Sequence, residues 1–388
     1  MIHFVVGTEG SFSIRYYLDE EGIALRDNMR VVLYDELARL DRLPLGTWVF
    51  TEIDRLSEAE RDLVNVACER LASAKGAARV MNQPRRMLLR HDLLRAAHDA
   101  GINRFRSWRA TEILFGRDQR AIRTNGNAAA AELRYPVFVR FANRHSGNLT
   151  PLLDSPRQLE RALASLMSAR HRLDDLLVIE FCDTKDEHGV YRKYSVYKIG
   201  DRVVPRYMES SRDWMVKWDW RIFDRARADE ETRYLEAQLP HESWIREIFA
   251  LANIDYGRLD YGILDGAPQA WEINTNPTIG RGPGPIVPYP PIIAAYNEML
   301  APAFAAFYPK FEEAWRAVDT TDSTGSVEFD APPALRRAIE IAARQRRRAE
   351  RVGALVDVIA RQPWARPVTR LLKRGLASVA STRLRLGR

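Results

Sequence analysis

The sequence contains very little cysteine. Only Cys68 and Cys182 occur among its 388 residues, which excludes a disulfide framework and any zinc site built from several cysteines. It also lacks the roughly 18–20 uninterrupted apolar residues that a membrane-spanning helix needs. The first residues, MIHFVVGTEGSF, have no basic start and too short an apolar stretch for a signal peptide. We therefore expect a protein of the reducing cytoplasm.

Excess positive charge is absent from most of the chain and concentrated at its end. The formal net charge is +7, yet residues 334–388 contain 15 of the 59 Lys and Arg residues and only 3 of the 52 Asp and Glu residues. This segment thus carries +12 and the rest of the chain −5. Because the basic character comes from one segment, it does not indicate a body that binds nucleic acid.

Short apolar runs alternate with polar segments over residues 1–84. The runs predict strands at Ile2–Val6, Val31–Tyr34, Trp48–Phe50 and Ala78–Met81. Ser57 and Glu60 form a capping-box pattern at the start of a helix. Together these patterns predict a small α/β domain with a mostly parallel sheet. The loop at residues 7–11 matches neither known phosphate-loop spacing, and we interpret it as a turn.

Strands dominate the middle of the chain. We predict strands at residues 136–141, 176–182, 191–199 and 203–207, and helices at 86–100, 155–171 and 230–253. Asp265-Gly266, between two apolar runs, predicts a hairpin. A loop with six prolines follows at 277–291, then a helix from about residue 292 to 318 and a polar linker at 319–333.

Residues 334–388 show two amphipathic patterns. Apolar residues at helical spacing are Val352, Leu355, Val356 and Ile359, and then Val368, Leu371, Leu372, Leu376 and Val379. They predict a basic helical tail. Such helices lie on anionic membrane surfaces, bind nucleic acid, or dock on the protein itself or a partner subunit. Since the tail has few aromatic residues beyond Trp364, we expect no specific nucleic-acid recognition.

The predicted hairpin carries the most informative residues. With its turn centred on Gly266, Asp260 and Glu272 lie opposite each other, and Asn274 shares the face of Glu272. Two directly opposed carboxylates repel, and a divalent cation would resolve the conflict. Asp, Glu and an Asn carbonyl are hard oxygen ligands that suit Mg²⁺. The alternative is a register shifted by one residue, with the acidic side chains in solvent.

The string Glu272-Ile-Asn-Thr-Asn-Pro277, a short hairpin after Asp260, resembles the metal-binding end of the ATP-grasp superfamily. Other similar motifs follow in the family's order: Asn82-Gln-Pro84 with the helix to residue 100, Tyr135 to Arg140, His145-Ser-Gly-Asn148, Leu177 to Cys182, and the strands near Tyr191 and Val203. The resemblance spans about residues 80–315. It implies an α/β and α+β protein, with a pre-ATP-grasp α/β domain at 1–84, a two-subdomain ATP-grasp fold at 85–318, a linker at 319–333 and the basic helical tail at 334–388.

The resemblance also implies a reaction. ATP, with Mg²⁺ or Mn²⁺, would activate a small-molecule or peptide carboxylate as an acylphosphate, which an amine or similar nucleophile attacks. Two alternatives stay open at this point: a kinase-like phosphotransferase, and a non-catalytic ATP-binding protein tethered through its tail to a membrane surface or a protein. The protein could also form oligomers.

Site residues follow from the resemblance by position. The implied metal ligands are Asp260, Glu272 and Asn274. The implied catalytic residues are Arg140, His145 and Arg281. The implied nucleotide contacts are Arg140, Ser146, Gly147, Glu180, Phe181, Cys182, Asp183, Arg192 and Arg206. Arg140 replaces the family's strand lysine, and Arg90, His91 or neither replaces the first phosphate lysine. The ribose contact is Asp183, Asp186 or Glu187. The tryptophan-rich stretch at residues 210–221 is either a lid with buried indoles or a surface on which substrate stacks.

Overall fold

A computed structural model describes residues 1–74, 76–115, 133–143, 147–217, 221–280, 289–319 and 324–345. Backbone contacts divide the chain into two units, Met1–Asp330 and Ala331–Arg388. In the described chain the first unit contains every strand.

The strands, in chain order, are β1 Ile2–Val6, β2 Met29–Leu33, β3 Arg42–Pro44, β4 Thr47–Phe50, β5 Arg79–Met81, β6 Ser107–Arg109, β7 Val137–Phe141, β8 Leu176–Glu180, β9 Tyr191–Ile199, β10 Arg202–Ser211, β11 Tyr256–Leu264, β12 Ala267–Asn274 and β13 Ser326–Glu328. The α-helices are α1 Ser11–Glu20, α2 Tyr34–Leu37, α3 Glu58–Ala72, α4 Arg90–Asp99, α5 Ala110–Phe115, α6 Pro156–Ser168, α7 Arg225–Glu236, α8 Glu242–Ala252 and α9 Pro291–Val318.

The N-terminal segment forms the predicted parallel sheet. Its strand order is β2-β1-β4-β5, and each neighbouring pair runs parallel. All five residues of β1 are buried, as expected for an apolar run covered on both faces. Helix α3 begins with the predicted capping box, in which the Ser57 and Glu60 side chains each accept a hydrogen bond from the other residue's backbone N–H.

Two antiparallel sheets follow, which confirms the predicted combination of α/β and α+β architecture. One has the order β6-β8-β7 and the other β10-β9-β11-β12. Pro205 lies on β10, the edge strand of the second sheet, next to a register shift between Pro205 and Tyr207. An edge strand with a bulge tolerates proline because no inner ladder bond is lost.

The predicted helix at residues 230–253 is wrong as a single element. The structure has two helices there, α7 and α8, separated by residues 237–241. Pro240 lies in the gap, and proline inside a helix removes a backbone hydrogen bond and clashes with the preceding turn. Within the predicted linker at 319–333, β13 pairs antiparallel with β3, and Phe329 is buried.

One hydrophobic core joins the N-terminal sheet to the four-stranded antiparallel sheet. Phe4 of β1, Tyr197 of β9, and Phe311 and Trp315 of α9 are all fully buried in it. The rings pack at 4.9–6.1 Å between centroids, edge-on to one another. Helix α9 therefore packs against both sheets, including β9, the strand that pairs with β11 of the predicted hairpin.

The second unit is described only in part. Residues 333–345 are helical. The two amphipathic patterns predicted beyond residue 350 lie outside the described residues, so the basic helical tail, its membrane or protein contacts and the oligomeric state stay predictions. Among the helices that the structure describes, none combines the length and apolar character needed to cross a membrane.

Candidate functional site

The hairpin β11–β12 pairs Asp260 with Glu272, as predicted. Asp265 and Gly266 form its turn with φ of 50° and 77°, the left-handed conformation that tight hairpin turns require. A regular ladder from this two-residue turn would place Trp271 opposite Asp260. A register shift between Asp260 and Tyr261 leaves Trp271 without a partner. This bulge brings Glu272 to face Asp260.

Asp260 is held by neighbours on its own sheet. Its side chain is buried, and Oδ1 accepts hydrogen bonds from Ser195 Oγ at 2.7 Å and from Arg258 Nε at 2.8 Å. Arg258 Nη2 donates to Oδ2 at 3.0 Å. Because Arg258 and Asp260 are two residues apart on one strand, both project from the same face. The carboxylate is therefore fixed in direction before any ligand binds.

Glu272 receives two arginines from other elements. Its Oε2 accepts a hydrogen bond from Arg90 Nη2 of α4 and, at 3.2 Å, from Arg140 Nη2 of β7. Arg90 Nη1 also donates to the Ala142 carbonyl at 2.9 Å. Burial lowers the pKa of Arg140 to about 10, and the nearby charge of Arg90 acts in the same direction. Of the two residues considered for the first phosphate position, Arg90 lies at the carboxylates, while His91 lies 3.7 Å from Glu112.

Two lysines that the sequence analysis did not assign reach the same place. Lys193 of β9 forms an ion pair with Glu209 of β10. Burial alone would lower the pKa of Lys193. The nearby Tyr207 and Glu209 have the larger opposite effect, so the pKa of Lys193 is raised. Burial, and then the charges of Lys193 and Arg140, lower the pKa of Lys217. Lys217 Nζ would lie 3.3 Å from a Cβ on Gly147. These two lysines thus join the three arginines that contact the two carboxylates.

A cavity of about 170 Å³ lies between the two antiparallel sheets; we call it the inter-sheet cavity. Part of its lining is an apolar cluster formed by Leu94, Phe105, Phe138, Ile179 and Trp271. Its charged lining residues are Arg140, Lys193, Lys217, Asp260 and Glu272. Trp214 lies over the cavity, with its ring 5.1 Å from that of Phe138 and 5.5 Å from that of Phe181. The cavity therefore suits a ligand with an aromatic part and a polyanionic part.

A second cavity of about 790 Å³ lies between α1, the sheet face of β10 and β11, and α9; we call it the α1–α9 cavity. Arg258 lines it and forms the ion pair with Asp260, which lines the inter-sheet cavity. Glu209 lines it and pairs with Lys193 of the inter-sheet cavity. The two cavities therefore adjoin at these two ion pairs.

The structure brings seven of the predicted site residues to the inter-sheet cavity: Arg140, Gly147, Glu180, Phe181, Cys182, Asp260 and Glu272. Asp183 and Arg192 line neither cavity; Arg192 pairs with Asp186 and Glu230. Arg206 lines the α1–α9 cavity instead. Asn274 Oδ1 accepts a hydrogen bond from Asn276 N at 2.9 Å. His145, Ser146 and Arg281 lie outside the described residues.

The Glu180 side chain forms hydrogen bonds and ion pairs within the protein. It is buried, and its two oxygens accept hydrogen bonds from the backbone and guanidinium groups of Arg106 and Arg134. The end of β8 is thereby tied to two neighbouring segments, and the backbone N–H groups of Glu180 and Phe181 donate to the carbonyls of Arg106 and Pro136. The Glu180 side chain therefore stabilises the fold around the cavity. Burial raises the pKa of Cys182 to about 12, so this cysteine stays a neutral thiol.

The loop after β1 is occupied by a carboxylate. Gly7 N donates to Glu52 Oε2 at 2.9 Å, and a Cβ on Gly10 would lie 2.3 Å from Glu52 Oε1. A phosphate group at this loop would meet that negative charge at close range. The geometry agrees with the interpretation of this segment as a turn.

The opposed carboxylates fit a magnesium ion in their chemistry. Asp260 and Glu272 offer hard oxygen ligands on one wall of a cavity, and a carboxylate has about four acceptor positions, of which Asp260 uses three. Within the described residues, no three His, Cys, Asp or Glu side chains gather as a complete ligand set. A two-carboxylate site is typical of Mg²⁺, which keeps several waters and binds substrate phosphates.

Comparisons with known proteins give matches among solved structures only. No protein-family model matches the chain, and no curated protein matches it. The chain is similar to the D-alanine–D-alanine ligase of Bacillus anthracis complexed with ATP, with 13% identity, 80% of this chain and 98% of that chain covered, and a TM-score of 0.41.

Two further matches carry the name of the superfamily that the sequence resembles. One is the ATP-grasp ligase PsnB complexed with a phosphomimetic variant of its minimal precursor, Mg and ADP, at 14% identity, with 78% of this chain and 97% of that chain covered and a TM-score of 0.41. The other is a RimK domain protein ATP-grasp from Sphaerobacter thermophilus, at 14% identity, with 80% and 100% covered and a TM-score of 0.40. All three TM-scores lie below 0.5.

Proposed function

We propose that this protein is an ATP-grasp ligase, which uses ATP and Mg²⁺ to activate a carboxylate and join it to an amine. One observation carries the proposal: the inter-sheet cavity is lined by an apolar cluster and by charged residues, two of which, Asp260 and Lys193, form the ion pairs where it adjoins the much larger α1–α9 cavity. A nucleotide in the first cavity would thus direct its phosphates toward a substrate in the second.

Two sets of residues in the inter-sheet cavity would contact the two parts of the nucleotide. The adenine ring would lie between Phe138, Ile179 and Trp271, with backbone groups of residues 180–182 at its edge. The phosphates would lie at Arg140, Lys193 and Lys217. The lowered pKa values of Arg140 and Lys217 support an anion site here, because crowded, buried cations are stabilised when negative charge arrives.

Asp260 and Glu272 would hold Mg²⁺. When bound, Mg²⁺ neutralises phosphate charge and fixes the orientation of the phosphate oxygens. Arg258 orients the Asp260 carboxylate through two hydrogen bonds, and Arg90 and Arg140 do the same for Glu272. These arginines compensate the charge of the two opposed carboxylates and hold them in place.

The proposed reaction has two steps. A substrate carboxylate in the α1–α9 cavity attacks the γ-phosphorus, the bond to the β-phosphate oxygen breaks, and ADP leaves. An amine then attacks the acylphosphate carbon, the carbon–oxygen bond to phosphate breaks, and phosphate leaves with the proton that the nitrogen loses, which completes a carbon–nitrogen bond. Chemistry of this kind depends on positioning and charge stabilisation, so the protein needs no nucleophilic side chain.

The first test is ADP release from Mg·ATP in the presence of pooled carboxylates and amines. Asp260→Asn and Glu272→Gln keep side-chain size and remove a negative charge, and we expect each to reduce the rate by about 100-fold or more. Asp265→Asn is the matched control, because Asp265 lies exposed at the tip of the same hairpin and should change little.

The products decide the reaction class. Mass spectrometry should find a condensed product together with ADP and phosphate. A phosphorylated product without condensation would identify a phosphotransferase instead. Unchanged ADP release in both Asp260→Asn and Glu272→Gln would refute the proposal.

A further inference from the structure

Three arginines among the described residues line the α1–α9 cavity, and the protein compensates the charge of two of them. Arg258 pairs with Asp260 at 2.8 Å. Arg221 pairs with Glu231 at 2.8 Å and lies 3.5 Å from Glu209. The third, Arg206, differs from both.

Arg206 is a buried cation with open donor positions. The residue is only 6% exposed. Its Nη2 donates to the Ile279 carbonyl at 2.7 Å, but Nε and Nη1 are buried and have no hydrogen-bond partner among the described residues. The guanidinium carbon lies 4.7 Å from the ring centre of Phe307 and 5.2 Å from that of Phe304.

Within the part of the chain that the structure describes, no carboxylate pairs with this guanidinium. A buried charge is strongly unfavourable unless it is paired and hydrogen-bonded. Aromatic faces offset part of that cost by attracting the cation, but they accept no N–H bond of ordinary strength. An anion that enters the cavity would satisfy both the charge and the open donors.

The other residues of the cavity indicate which anion. Glu20 and Glu21 also line it, and their negative charge opposes a dianionic phosphoryl group more than a monoanionic carboxylate. Tyr207, Tyr289 and Phe304 supply aromatic surface for the rest of the ligand. We propose that Arg206 binds a carboxylate of the substrate that does not react, beside the substrate's apolar part.

That the bound carboxylate belongs to a substrate rests on the proposed function. That Arg206 binds a carboxylate does not depend on it. If both hold, at least one substrate carries a carboxylate in addition to the reacting group. The α1–α9 cavity then selects substrates through that second carboxylate, and Arg206 sets the KM for this substrate without taking part in phosphate transfer.

The experiment measures the thermal unfolding midpoint of the full chain with two carboxylates, acetate and benzoate, and their neutral counterparts, acetamide and benzamide. We expect at least one carboxylate to raise the midpoint by about 2 °C or more at concentrations well above its Kd, and its amide to have no effect. Arg206→Met should abolish the shift. Arg225→Met, which removes an exposed arginine of α7, should preserve it.

Binding of Mg·ATP, measured separately by calorimetry, distinguishes the two proposals. Arg206→Met should bind Mg·ATP as the wild type does, and failure of the wild type to bind it would refute only the ligase. The Arg206 site is overturned if neither carboxylate shifts the midpoint, or if Arg206→Met keeps the shift. A larger Arg206-dependent shift with phenyl phosphate than with benzoate would overturn the carboxylate class.

Discussion

Asn82 connects the N-terminal sheet to the strand that carries Asp260. The residue is fully buried and has a φ of 63°, a left-handed conformation that asparagine tolerates better than most residues. Its Nδ2 donates to the carbonyls of Phe50 at 3.1 Å and Tyr256 at 2.8 Å. Its Oδ1 accepts from the backbone N–H groups of Asp255 at 2.9 Å and Tyr256 at 3.0 Å. One side chain therefore satisfies four backbone groups on two sheets.

We expect Asn82→Ala to lower the free energy of unfolding by about 3–4 kcal/mol, since each of four buried hydrogen bonds contributes about 1 kcal/mol and the backbone groups would be left unpaired. Urea unfolding measures this change. Gln83→Ala, at the adjacent half-buried residue, serves as the control and should change stability by less than about 0.5 kcal/mol. Equal losses in the two variants would refute the role of Asn82.

At the scale of elements, the bulge in β12 determines the site. It directs Glu272 toward Asp260 and Trp271 into the wall of the inter-sheet cavity. The indole then packs over Gly262 of β11, where a Cβ would lie 2.4 Å from Trp271 Cζ2. Glycine is needed at this position because the aromatic ring occupies the space of a side chain.

The sequence predicted the hairpin because its turn depends on local rules, whereas the facing of the two carboxylates also depends on the bulge. Asp265-Gly266 specifies a tight turn, and side chains alternate along each strand. The bulge was not predictable in the same way, since no local pattern marks it and the unpaired Trp271 packs against residues far away in the chain, such as Leu94 and Ile179. The turn centre assumed in the prediction gave the correct pairing, although the actual turn is centred half a residue earlier and the bulge makes up the difference.

The variant Gly262→Ala tests the packing of the Trp271 ring against Gly262. The added methyl group clashes with the indole, and we expect a loss of about 1–3 kcal/mol in the free energy of unfolding, as for other overpacked sites. Trp271→Phe removes the ring atoms that meet the methyl group. The double variant Gly262→Ala with Trp271→Phe should therefore be more stable than the sum of the single effects predicts, a coupling that urea unfolding of all four proteins measures. Strict additivity would contradict the packing.

At the scale of the whole molecule, the site combines elements that are distant in sequence. Arg90 and Glu272 are 182 positions apart and Lys193 and Asp260 lie on adjacent strands of one sheet. Apolar patterns predicted the elements that carry these residues. They did not predict that Arg90 faces Glu272, that Lys193 and Lys217 join Arg140, or that Arg206 belongs to a second cavity, because those placements follow from the packing of the sheets and helices against one another.

Two buried histidines, His3 and His91, make the stability of the folded protein depend on pH. His3 of β1 is 3% exposed and stacks on Trp48 at 4.4 Å between ring centres. Burial, and then the charge of Arg30, lower the pKa of His3 from 6.5 to about 4. His91, at the start of α4, has its pKa lowered to about 4 in the same way, by burial and then by Arg109. Both side chains are therefore neutral in the folded protein at pH values where the unfolded chain is protonated.

The sign of the pH effect follows from proton uptake. Below pH 6.5 the unfolded chain binds a proton at His3 while the folded protein does not, so stability is complete above pH 6.5 and falls as the pH decreases toward 4. Between pH 7.5 and 5 the loss from His3 amounts to about 2 kcal/mol. His3→Phe, which keeps the ring on Trp48, should lose about 2 kcal/mol less than the wild type over this range in urea unfolding. His188→Gln, at an exposed histidine, should behave as the wild type does. Parallel pH profiles of stability for the wild type and His3→Phe would contradict the prediction, because they would show that His3 has the same pKa in the folded and the unfolded protein.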